Sequence, residues 1–306
     1  MQSLIHLWEK PTAKEIVMIA GWRQWADAGS ISSTLPEYLI EQTGARKIGA
    51  IVEGGYYLFQ LPGTHHLLRP VIKLEDGYRQ SFEVKRNEFY YAGNDDKGLI
   101  IFLGDEPHLN VEKYADGFFQ AILDLQITQV VGLGGVYGPM PYDKARDISC
   151  IYSLPEMKAS LENYNIRFSN YEGGATIGSY LIDRAEREKV NFLALYAFVP
   201  AYDFAQSASV PQGIQIEQDY KAWHDLMRRI NHWLGLSLNM ADLEERAIKL
   251  IVTMDEQVAE LEKKMPQLNV REYLESLTRD FTERPFDPLA DVWEEEFRDL
   301  FKDLDE

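Results

Sequence analysis

A single cysteine, Cys150, in a chain of 306 residues excludes an internal disulfide, and with no histidine cluster beside it there is no zinc framework. A reducing compartment, the cytoplasm, is the expected setting. Positive charge is scarce as well: 31 Lys and Arg face 49 Asp and Glu, a net of −18 at pH 7. Phosphate backbones and anionic membrane surfaces select the opposite balance, so neither nucleic acid nor membrane is an expected partner. No apolar run approaches the roughly 20 residues that span a bilayer, and residues 1–10 lack the basic start and apolar stretch of a secretory signal.

Catalytic signatures are missing too. There is no G-x-S-x-G elbow, no Walker lysine and no H-E-x-x-H, and the six histidines are scattered. His65-His66 falls between the predicted strands, and His224 and His232 stand eight apart, too far for an i, i+4 metal pair. The run Gly132-Leu-Gly-Gly-Val-Tyr-Gly138 puts Tyr137 where a dinucleotide fingerprint needs glycine. No metal and no cofactor is expected. Cys150, between Ile148 and Ile151, reads as a small buried hydrophobe.

What is present is organised. Short, nearly continuous apolar runs at 16–20, 48–52, 99–103, 130–133 and 192–199 have the character of strands buried on both faces. Helical periodicities at 31–42, 111–125 and 177–189 alternate with them. Such alternation predicts a layered α/β domain with helices on both faces of a mainly parallel sheet. Asp76-Gly77, between the runs 71–74 and 79–84, predicts a β-hairpin within an insertion over about 54–91, since glycine tolerates the positive φ of a tight turn.

From about residue 213 the pattern is helical. An amphipathic stretch runs to Trp233 and Gly235 closes it; a second, heptad-like seam from Leu243 to Leu261 stops at Pro266; a third spans Val270 to Phe281. Asp287-Pro288 then opens a fourth, whose stripe is Leu289, Val292, Trp293, Phe297, Leu300, Phe301 and Leu304. Residues 241–306 carry a net charge of −11 of the total −18. The expected division is an α/β core over 1–235 with its hairpin insertion, and an acidic helical extension over 236–306 that packs on the core or on a neighbouring subunit.

Open α/β sheets gather ligands just past their strand ends, so the polar residues there form the candidate pocket. They are Trp22, Asp27, Gly29, Glu106, Gly134, Gly135, Tyr142, Arg146, Gly173, Gly174 and Tyr202. Each has a structural alternative. Asp27 is placed to cap the helix that follows, Glu106 to bond loop amides, and Arg146 to pair with Asp143 or Asp147. Tyr142 and Tyr202 are placed as packing residues at a rim, and Trp22 and Trp25 to pack under the loop. The four glycines Gly134, Gly135, Gly173 and Gly174 serve positive φ or close backbone approach.

Several motifs occur in order: Gly21-Trp22 with Asp27-Ala28-Gly29, Asn87-Glu88-Phe89, 104–107, Leu133-Gly134-Gly135 before a proline-rich loop, 171–174 with Ile177-Gly178, and Val199-Pro200-Ala-Tyr202. Over residues 4–280 the chain resembles the proteasome assembly chaperone 2 family in its longer prokaryotic form with a C-terminal helical extension. The resemblance implies a three-layer α/β/α fold of the phosphorylase/hydrolase-like kind and a homo-oligomer, with a trimer favoured. It also implies a non-catalytic assembly factor or scaffold with a protein client. Where the family has Pro-His-Thr-Arg and Pro-His-Tyr, this chain has Tyr142 and Ala201 in place of the histidines, removing any acid-base pair they would supply. Leu304-Asp305-Glu306 lacks the hydrophobic-Tyr-any pattern of proteasome-docking relatives, so that docking mode is not expected. The alternative is an enzyme, a ligase or hydrolase, acting on a small amine- or carboxylate-bearing metabolite at the strand-end pocket.

Overall fold

The computed structural model describes residues 3–60, 69–203 and 213–286. Its centre is four parallel strands: β2 (Glu15–Arg23), β7 (Lys97–Asp105), β8 (Ile127–Gly138) and β11 (Asn191–Asp203), in the order β7-β2-β8-β11. Along each, alternate residues enter opposite cores, as the pleat requires. Val17, Ile19, Leu99, Ile101, Leu193 and Leu195 face one side; Met18, Ala20, Ile100, Phe102, Phe192 and Ala194 face the other. Burial on both faces turned period-2 alternation into the continuous apolar runs visible in the sequence.

Outside this centre antiparallel pairing predominates. β1 (Ile5–Leu7), β3 (Arg46–Ile51) and β6 (Asn87–Gly93) extend one side, giving the order β1-β3-β6-β7. On the other side β9 (Ile148–Tyr152) runs antiparallel to β11, with β10 (Arg167–Phe168) parallel to β9 at the edge. The sheet is therefore mixed, which corrects the expectation of parallel dominance. β4 (Val71–Glu75) and β5 (Tyr78–Glu83) form the expected hairpin around Asp76-Gly77, Gly77 having φ +80°. The insertion is shorter than residues 54–91 imply, because Asn87–Gly93 is a main-sheet strand.

Helices α1 (Thr34–Thr43) and α5 (Tyr220–Trp233) cover one face, and α2 (Val111–Asp124) and α4 (Ile177–Glu188) the other, giving three layers. A short α3 (Met157–Leu161) sits on the first of these faces. The stretch from Gly213 is not helical at its start: β12 (Gly213–Gln215) pairs with β11, and Asp219 then caps α5 by accepting from Ala222 N (3.0 Å). α6 (Ala241–Lys264) and α7 (Val270–Asp280) bury Leu243, Met254, Val258 and Val270 in the same core as α1 and α5. His65-His66 and the fourth apolar stripe lie outside the described residues. No described helix is long and apolar enough to cross a membrane.

Candidate functional site

Because β2, β7, β8 and β11 run parallel, the loops that follow them meet at one end of the sheet. Asp27, Glu106, Arg146 and Tyr202 are brought there, and each has internal partners. Asp27 Oδ1 accepts from Ser32 N (2.7 Å) and Ser33 N (3.0 Å), tying down the turn just ahead of α1 rather than capping the helix itself. Burial raises its carboxyl above the usual aspartate range, against the opposing pull of those bonds. Glu106 bridges two segments. Its Oε2 accepts from Trp25 N (3.2 Å) and its Oε1 from Ile177 N (2.8 Å) at the start of α4, where the helix dipole favours a carboxylate.

Arg146 is fully buried. Its Nε and Nη2 grip Asp219 (2.8 and 3.2 Å), and Nη1 donates to the carbonyls of Tyr142 (2.8 Å) and Lys144 (2.9 Å). The expected neighbours are engaged elsewhere: Asp147 holds Arg167 (3.0 Å) and Asp143 lies 3.5 Å from Lys144. Asp219 N in turn donates to Gly29 O (3.1 Å), which also accepts from Trp223 Nε1 (3.0 Å). Gly29 has φ +64°, and a Cβ there would press on Asp219. The sequence reading missed Asp219 as the partner, although its place ahead of an amphipathic run is a readable cap signal.

Beyond the loop at 139–146 lies the helical extension. Tyr142 OH donates to Asp255 of α6 (2.5 Å), Ala145 N donates to Glu283 (2.7 Å), and buried Tyr202 meets Tyr273 of α7 edge to face while donating to Met140 O (2.6 Å). α6 and α7 thus lie against the end of the sheet where a pocket was expected. A cleft of about 620 Å³ remains between them and the loop, lined by Tyr142, Asp143, Asp255, Arg271 and Arg279. A second, of about 480 Å³, lies under the hairpin beside Tyr57, Lys85 and Arg86. Of the sequence-derived candidates, only Tyr142 lines either.

Trp22 is buried and donates to Tyr114 OH (3.0 Å), which donates to Asn87 Oδ1 (2.8 Å). Asn87 also meets Tyr57 OH (3.0 Å), and neighbouring Asp105 binds Lys85 Nζ and Arg86 N (both 2.9 Å). This network ties the hairpin's base to β2 and β7, a role for Asn87 that its sequence context does not show. Trp25, in contrast, is 72% exposed rather than packed under its loop. None of the four glycines takes a positive φ. Gly134 lies against the Tyr196 ring, and a Cβ on Gly135 would overlap the Ala28 carbonyl, so close approach accounts for these two. Gly174 has open space around it and Gly173 abuts the Tyr171 ring.

Among the described residues no group of three or more His, Cys, Asp or Glu is placed to hold a metal ion. His224 Nδ1 lies 3.7 Å from Asp225, and His232 shares a 3.0 Å hydrogen bond with Tyr164 OH.

The PAC2 family model matches residues 22–258. This chain belongs to the PAC2 family. No curated protein matches it. Among solved structures, a PAC2 family protein from Streptomyces avermitilis superposes with a TM-score of 0.68 at 22% identity, covering 85% of this chain and 99% of that one. A proteasome-assembly chaperone homologue from Mycobacterium tuberculosis gives 0.67 at 22% identity, over 80% and 96%. An archaeal proteasome activator from Pyrococcus furiosus gives 0.59 at 17% identity, over 82% and 97%. These likenesses establish a shared PAC2 fold. Of the motif residues that resemble the family, Trp22, Asp27, Asn87, Glu106, Gly135 and Tyr202 make internal contacts in this PAC2 chain.

Proposed function

We propose that this chain is a non-catalytic, homo-oligomeric assembly factor that binds a protein client in the cytoplasm, as its resemblance to proteasome assembly chaperones implies. The observation that carries this reading is the internal engagement of Asp27, Glu106 and Arg146: the only charged groups of the candidate pocket hold loops and helix starts in place. A catalytic acid, base or anion clamp needs a polar atom directed at substrate, and these atoms are directed at the chain itself. Further support comes from likeness of fold to a proteasome-assembly chaperone homologue and to a proteasome activator. On this reading residues 236–306 are an acidic extension serving the core of 1–235, and the covering of the strand ends by α6 and α7 belongs to the architecture of a scaffold.

The test is a thermal-shift panel of small amines, amino acids and carboxylates on the wild type, Asp27→Asn and Glu106→Gln. The expected result is that no compound shifts the wild-type melting temperature in a saturable way. A saturable shift that either substitution abolishes would restore the enzyme reading.

A further inference from the structure

α6 and α7 are held to the core in different ways. α6 is packed: Leu243, Ala247, Met254 and Val258 are buried, and Asp242 and Asp255 accept from Tyr38 OH (2.8 Å) and Tyr142 OH (2.5 Å). α7 buries only Val270, at its first position. Its Tyr273, Leu274 and Leu277 are half-buried, and Leu274 and Thr278 line the cleft of about 620 Å³ instead of filling it. An apolar stripe laid over open space gains little of the burial free energy that holds a helix in place.

The far end of α7 is fastened by residues 283–286. Glu283 Oε1 accepts from Ala145 N (2.7 Å), Arg284 O from Arg229 Nη2 (3.0 Å) and Pro285 O from Asn165 Nδ2 (2.8 Å). Phe286 is buried, stacks on Tyr164 and meets His232 edge-on. The near end is a turn. Met265 leaves helical geometry at φ −139°, Pro266–Leu268 form a 3₁₀ turn, and Asn269 takes φ +48° with no side-chain bond to cap α7. Leu268 and Val270 are buried there and fix the pivot. Hinges are built this way, from a few element-terminal residues that absorb a change in φ and ψ.

We propose that α7 is a latched lid: when the ties at 283–286 release, it swings on the 265–269 turn and uncovers the end of the sheet at the 139–146 loop. Tyr202, buried with its ring against Tyr273, is then reachable. Use of that surface by a client rests on the scaffold reading. Opening itself needs neither client nor second copy, so its failure leaves that reading standing.

Thiol labelling of the full-length chain tests the lid through Val258→Cys, a near-isosteric change at a buried residue of α6 that lines the cleft beside α7. Cys150, in β9 of the same chain, reports global unfolding. Rates with a thiol-specific disulfide reagent are compared in three backgrounds: the intact latch, Glu283→Ala with Phe286→Ala, and Asn165→Gly, which removes one tie while suiting φ +49°. The Val258→Cys thiol is expected to react before Cys150. Both latch variants are expected to speed it, the double variant about tenfold or more, while Cys150 keeps its rate. Labelling of Val258→Cys at one rate in all three backgrounds overturns the lid. Labelling that keeps step with Cys150 in every background also overturns it, because the latch then holds the whole fold and not α7.

Discussion

Arg146 and Asp219, 73 positions apart in sequence, form a fully buried ion pair at 2.8 Å that locks the loop after β8 to the first turn of α5. Both oxygens of Asp219 are engaged by the guanidinium, and one also caps the helix. Removing either partner leaves a buried charge without compensation, which costs about 3–5 kcal/mol. Arg146→Met and Asp219→Asn are each expected to lower the urea midpoint accordingly. Arg146→Lys is expected to recover little, because an ammonium cannot reproduce the fork and the two carbonyl bonds together. A lysine variant as stable as wild type would contradict this assignment.

Asp27 and Glu106 differ in a way that conservative substitution exposes. Both bonds to Asp27 end on the same oxygen, so Asp27→Asn keeps them, whereas Asp27→Ala leaves two backbone N–H groups without their acceptor, at a cost of about 1–2 kcal/mol. The bonds to Glu106 end on different oxygens, so Glu106→Gln turns an N–H group against another N–H and is expected to cost about 1 kcal/mol or more. Because burial raises the Asp27 pKa, its contribution to stability falls as pH rises through the folded value. The asparagine variant should therefore gain on wild type between pH 4 and pH 7, read from denaturation midpoints at each pH.

Asp225 has the opposite sign. Burial pushes its carboxyl up, but His224, Lys221 and Arg146 together hold it below the usual aspartate range. Its stabilising effect is present above the unfolded value of about 3.9 and is lost as pH falls through the folded one. Asp225→Asn is expected to be less stable than wild type at pH 7, with the gap narrowing in acid. Equal midpoints at pH 7 would contradict the ion cluster.

Cys150 is almost fully buried in β9, and burial pushes its thiol up to about 12. A thiol-specific disulfide reagent at pH 8 should leave the native protein unlabelled over hours and label it fully once urea unfolds it. Labelling at the same rate in both states would place the residue outside the core.

The sequence made the central strands legible because burial on both faces wrote them as unbroken apolar runs. It concealed β6 because Asn87 and Glu88 open that strand with polar side chains, the first of which serves a buried network. It also ran β12 into α5, since the strand at 213–215 is too short to establish a period. Local ties were readable in part: Asp27 bonds residues five and six positions away. Asp219 was out of reach for the opposite reason, since nothing near Arg146 in sequence points across 73 residues, and Asp143 and Asp147 offered nearer carboxylates.

The central claim is that this PAC2 chain works as a homo-oligomeric scaffold, and its mass in solution tests that most directly. Light scattering on the full-length chain from micromolar concentration upward is expected to give an integer multiple of 35.3 kDa, with three copies favoured. A constant 35.3 kDa across that range would contradict the account.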